Sequence, residues 1–136
     1  MKTLVFTIAN WKFALENKLV LSAMSLEDNN DYSNKENIFE IEHLGVKTKV
    51  FNLAKIFSLT NLEKSEKIIL LRIENRRFGI LVDRILGIKE LNFKQLPPYL
   101  VLKGKIKPIE GLNENQNELI TLISSKILEN LIKENQ

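Results

Sequence analysis

The stretch Lys67-Ile68-Ile69-Leu70-Leu71-Arg72-Ile73-Glu74-Asn75-Arg76-Arg77-Phe78-Gly79-Ile80-Leu81-Val82-Asp83-Arg84-Ile85-Leu86-Gly87-Ile88-Lys89-Glu90-Leu91 decides the fold. It reads as two apolar strands, residues 67–73 and 77–85, joined by the polar turn Glu74-Asn75-Arg76, with Asp83 near the end of the second strand and a third apolar segment behind it. Ile68 to Leu71 is apolar on both parities, so both faces of that strand are expected to be covered. Asn75 suits the left-handed backbone that such turns use. Gly79, inside the second strand, marks a bulge or a close approach by another backbone, as in a tightly curved barrel.

Working outward, residues 3–9 and 12–24 read as strands with a turn at Asn10, the second strand kinked near Asn17. Phe13, Leu15, Leu19 and Leu21 alternate as one strand face. Residues 25–37 are rich in Asn, Asp and Ser and read as an exposed loop rather than a domain boundary. Phe39 and Ile41, then Val46, Thr48 and Val50, fit a hairpin turning near His43-Leu44-Gly45, where Gly accepts positive φ. Leu53, Ile56 and Phe57 fall at helical spacing.

Pro97-Pro98 excludes a central strand, and residues 100–102 and 105–111 read as edge or connecting strands. A turn at 113–117 precedes a last strand at 118–123. Ser124 is placed to cap a C-terminal helix with the apolar stripe Ile127, Leu128, Leu131 and Ile132. Many short strands with close turns and two small helices predict a mainly β barrel or sandwich in one domain, residues 1–136.

A chain of 136 residues buries roughly two-thirds of its unfolded surface, enough for a core without staples. It has no cysteine, which removes disulfides, thiolate metal sites and cysteine nucleophiles, and suits a reducing cytosol. No apolar run approaches the ~20 residues that span a bilayer, and Thr7, Asn10 and Lys12 interrupt the N-terminal one too early for a signal peptide. A soluble, cytoplasmic protein is expected.

Candidate chemistry is sparse. His43 is the single histidine and has no local partner set for a metal or a triad. Asp83 is separated in sequence from the other aspartates, Asp28 and Asp31, and reads as a structural acceptor for nearby backbone. Lys103, Lys105 and Lys107, with Arg72, Arg76, Arg77 and Arg84, form either a nucleic-acid patch or a solvated edge protected by lysine, the reading favoured here. Trp11, Tyr32 and Tyr99 make no regular aromatic ladder for base stacking. No catalytic residue, metal ligand or cofactor is assigned.

Four pieces in order resemble the chemotaxis coupling proteins, the CheW-like family: Phe13-Ala14-Leu15 leading to Val20; Gly45 ahead of Val50-Phe51-Asn52-Leu53; Ile68-Ile69-Leu70-Leu71 through Arg77-Phe78-Gly79-Ile80-Leu81-Val82-Asp83; and Gly111 followed by Leu119-Ile120-Thr121-Leu122-Ile123. The resemblance implies two intertwined five-stranded SH3-like β-barrels with short helices, including a C-terminal one. It implies a non-enzymatic adapter that joins the chemoreceptor cytoplasmic tip to the regulatory domain of a histidine kinase, peripheral to the membrane through receptors alone. By family position Val20, Ser22, Phe39 and Leu44 lie near the kinase-facing barrel or the receptor groove, each either exposed to a partner or part of the core. Ile85 and Ile88 either line the groove between barrels or belong to the core. The family's Asn-Leu-Arg-Gly is Glu42-His43-Leu44-Gly45 here, so the function-linked Arg is Leu44, and the family's Pro and Asp of the following strand are Lys49 and Asn52. That departure leaves open a CheW-like interaction module with a different signalling partner.

Overall fold

Alternating and doubly apolar runs become strands wherever both faces find cover. A computed structural model describes residues 1–25, 37–59, 67–91, 93–95, 101–102, 105–106, 111–113 and 120–134. Most of the expected loop at 25–37, together with Pro97-Pro98 and most of the expected turn at 113–117, lies outside the described residues.

One sheet contains β1 (Lys2–Ile8), β2 (Trp11–Glu16), β8 (Arg84–Glu90), β9 (Phe93–Gln95), β12 (Gly111–Asn113) and β13 (Ile120–Leu122), in the order β8-β1-β2-β13-β12-β9. The other contains β3 (Val20–Ser25), β4 (Ile38–His43), β5 (Val46–Asn52), β6 (Lys67–Ile73) and β7 (Arg76–Val82), in the order β3-β6-β7-β5-β4. A short ribbon pairs β10 (Val101–Leu102) with β11 (Lys105–Ile106). The helices are α1 (Leu53–Ile56) and α2 (Ser125–Glu134). The fold is thus mainly β, as expected. Among the described residues the end strands of neither sheet pair with each other.

The sheets are intertwined because the chain changes sheet at two corners. The expected strand over 12–24 is divided by a 3-10 turn at Asn17–Leu19, which sends β2 into the first sheet and β3 into the second. The expected strand over 77–85 breaks at Asp83, so that β7 and β8 also part company. Asp83 is buried; its N–H donates to the Thr7 carbonyl at 2.9 Å and its carboxylate accepts from the Ala9 N–H at 2.8 Å. It is therefore a structural acceptor, reaching across 74 positions in the chain. Ala9 and Asn10 close the β1–β2 hairpin at φ 51° and 68°, the twist that two-residue hairpins prefer.

Three apolar clusters follow. Leu4, Phe6, Ile8, Phe13 and Leu15 of the first sheet meet Phe51, Ile69, Leu71, Phe78, Ile80 and Val82 of the second in a central core. Leu128 and Ile132 close that core, with Ile127 and Leu131 half-buried beside them, and the Ser124 hydroxyl accepts from the Ile127 N–H at 3.2 Å as the expected cap. Phe6 stacks on Phe13 at 5.9 Å and Phe51 meets Phe78 edge-on at 5.8 Å, each such pair contributing about 0.5–1.5 kcal/mol beyond burial. Phe39, Ile41, Val50, Ile68, Leu70 and Leu81 fill the far face of the second sheet, and Val5, Ala14, Leu91, Ile120 and Leu122 the far face of the first. β6 thus serves two cores, as its double-parity pattern predicts. Asn52 accepts from the Lys55 N–H at 3.3 Å, so Asn in place of the family's Asp still caps α1.

Gly79 pairs with Val50 on one side and Leu70 on the other. A Cβ there would lie 3.0 Å from Ile68 Cγ2 and 3.1 Å from Val50 Cγ2, both fully buried. Neither a bulge nor a second backbone, the two expectations for this glycine, accounts for it: the register runs through it unbroken, and its close neighbours are side chains of the second core. Gly79→Val is expected to lower unfolding free energy by about 1–3 kcal/mol through overpacking, read as a shifted urea midpoint with unchanged slope. Asp83→Ala leaves the Ala9 N–H without its acceptor and is expected to cost about 1–3 kcal/mol in the same assay.

Candidate partner-binding surface

Each sheet has an edge strand with one residue too many, and the extra residue is a leucine. On β8 the register runs Val5 opposite Gly87 and then Phe6 opposite Ile85, so Leu86 bulges out. On β3 it runs Val20 opposite Leu71 and then Ser22 opposite Leu70, so Leu21 bulges out. Leu86 is 42% and Leu21 46% exposed. The expected single face for Phe13, Leu15, Leu19 and Leu21 therefore fails at Leu21, because the 3-10 turn and the bulge reset the alternation. Gly87, at φ 124° with nothing within 4 Å of a would-be Cβ, is the sequence signal for the β8 bulge, since a glycine inside a strand marks such sites. Leu21 has no comparable signal.

The bulge also explains how Ile85 and Ile88, three residues apart, share a side. Ile85 lies opposite Phe6 and Ile88 opposite Leu4, two residues of the central core. Ile85 packs half-buried against that core, while Ile88 stays 56% exposed. Val20 is half-buried on the same core, and Ser22 is exposed on β3.

The β4–β5 hairpin turns on Leu44 and Gly45 at φ 51° and 76°. Its outer face sets Glu40 opposite Lys49 and Glu42 opposite Lys47, while Phe39, Ile41, Thr48 and Val50 point inward. Of the two places open to Phe39, partner surface or core, it takes the core: it is only 7% exposed, because the alternation of β4 turns it into the second core. Leu44 is the reverse case, 86% exposed at the tip. A branched apolar side chain in left-handed backbone costs about 1–2 kcal/mol, and here no burial offsets it.

His43 is half-buried beside this turn. Among the described residues no group of three or more His, Asp or Glu lies together as a metal site, and no helix is long and apolar enough to cross a membrane. Tyr32, Tyr99, Lys103 and Lys107 lie outside the described residues, and Lys105 stands on β11.

Two sheets that exchange strands at two corners, with apolar side chains exposed on edge strands and at a hairpin tip, make up most of the described residues. The chain belongs to the CheW-like domain family, whose pattern it matches over residues 2–131. Its fold is similar to that of the scaffolding protein TtCheW from Thermoanaerobacter tengcongensis, with a TM-score of 0.72 and 23% identity over 90% of this chain and 87% of that one. No curated protein shows significant similarity in sequence.

The strain at the tip is measurable. Leu44→Asn creates Asn-Gly, the pair this turn geometry favours, and is expected to raise unfolding free energy by about 1 kcal/mol in urea titration. A neutral or destabilising result would mean that Leu44 is not held at a cost.

Proposed function

We propose that the chain, as a single domain over residues 1–136, is a cytoplasmic, non-enzymatic chemotaxis adapter. It couples a chemoreceptor cytoplasmic tip to a histidine kinase regulatory domain and is peripheral to the membrane through receptors only. The observation that carries this reading is the family match, which runs through both sheets. Holding two partners on one rigid body raises their effective concentration, and a conformational bias in one passes to the other through the shared central core. Val20, Ser22, Leu44, Ile85 and Ile88 are the proposed contacts. Phe39 acts from beneath, by packing the second core on which the Leu44 hairpin rests. No cofactor or metal takes part.

The test is three-component retention. Immobilised receptor tip should retain the kinase regulatory domain only when this chain is added. Binding to neither partner at high micromolar concentration would remove the role and leave the fold. Ile88→Glu is expected to weaken at least one partner tenfold or more, about 1.4 kcal/mol, while stability changes by no more than ~0.5 kcal/mol.

One observation favours a second reading, a CheW-like module with another signalling partner: an exposed Leu44 stands where the family has its Arg. Leu44→Arg separates the two. Tenfold stronger receptor or kinase binding would mark drift within the coupling role, and unchanged weak binding would favour a different partner.

A further inference from the structure

β5 runs parallel to β7, with Val50 beside Gly79, so the β4–β5 tip and the β6–β7 turn lie at the same end of the second sheet. On that end Arg72 faces Arg77 directly across the ladder and Arg76 follows opposite Ile73. All three arginines are exposed. Like charges directly opposite each other oppose pairing. Among the described residues no carboxylate lies within salt-bridge distance of them. Arg72 is steadied instead by its Nε, which donates to the Glu74 carbonyl at 3.3 Å, with Glu74 itself in left-handed backbone at φ 56°. The lysines of the neighbouring hairpin differ, since Lys47 and Lys49 stand opposite Glu42 and Glu40. Strand alternation puts Arg72 and Arg77 on the face of Leu70 and Leu81, and Val46 on that of Val50. Val46 and Leu44 are both exposed there. The end of the second sheet thus joins unneutralised guanidinium groups to uncovered aliphatic side chains.

We infer that this face of the end, formed by Leu44, Val46, Arg72 and Arg77, is a docking site for an acidic protein segment with an apolar anchor. The inference rests on reading the chain as a binding module and not on the identity of either proposed partner. Guanidinium forks suit carboxylates, and the left-handed Leu44 supplies the aliphatic contact. A nucleic acid would use the arginines and gain little from Leu44 and Val46.

The test needs no natural partner. The full chain, labelled with nitrogen-15, is titrated with a capped amphipathic peptide of Leu and Glu, with the same peptide carrying Gln for Glu, and with an oligothymidylate. The acidic peptide should shift the amides of Leu44, Val46, Arg72 and Arg77. Its affinity should fall at least tenfold in Arg72→Gln/Arg77→Gln and in 0.5 M salt (about a 4 Å screening length, against ~10 Å at 0.1 M). The Gln peptide should bind at least tenfold more weakly. Leu44→Ser should weaken the acidic peptide while leaving oligothymidylate unaffected. Shifts that fall elsewhere, no binding at millimolar peptide, indifference to the charge changes, or tighter binding of oligothymidylate on the same residues would each overturn the inference. Receptor and kinase binding is read separately, so either idea can fail alone.

Discussion

The constraint on which this structure depends is the corner at Asp83. A strand of the second sheet must end there and the next residue must begin a strand of the first, although both flanks are apolar and strand-forming. Asp83 makes the change of sheet by binding backbone on both sides of the β1–β2 hairpin tip: its N–H to the Thr7 carbonyl and its carboxylate to the Ala9 N–H. The same contact steadies Ala9 in a left-handed conformation that alanine disfavours. One buried carboxylate thus fixes the relation between the sheets and the geometry of the first hairpin. It does so as a hydrogen-bond acceptor for buried backbone, the structural role that an acid in an apolar run indicates.

From that corner the three cores follow. With the sheets held against each other, their facing sides must be apolar, and their far sides must be apolar as well wherever each sheet curves over its own cluster. Ile69 and Leu71 look inward to the central core while Ile68 and Leu70 look outward to the second. A strand needed by two cores cannot afford a polar parity, and Gly79 shows how tightly the second core is filled. A body packed in this way has low compressibility and passes strain through its interior.

The parts of this fold legible in the sequence are those set by neighbours in the chain. The double-parity run of β6, the hairpin at Leu44-Gly45, the helical spacing after Asn52 and the Ser124 cap are local signals with local causes. The sheet changes at Asn17–Leu19 and Asp83 are less legible, because alternation continues through both corners and says nothing about which sheet a strand joins. The bulges at Leu21 and Leu86 mislead parity outright, since one extra residue reverses every face that follows. The candidate surface shows the same division. Leu44 is readable as an exposed tip residue from Gly45 beside it. Phe39 is not readable as buried from family position alone, and the shared side of Ile85 and Ile88 emerges only from the β8 register.

The uncovered apolar groups lie where the fold has no further use for side chains. Leu21 and Leu86 are the surplus residues of bulged edges, Ile88 is the last of its face, and Leu44 caps a hairpin that runs past the central core. An edge strand left flat and apolar invites pairing with other chains, and a bulge blunts that hazard by twisting the edge and unpairing one residue. The same bulge leaves a leucine partly exposed, 46% at Leu21 and 42% at Leu86. Among the described residues such a bulge, which protects an edge and exposes a leucine, occurs once on each sheet.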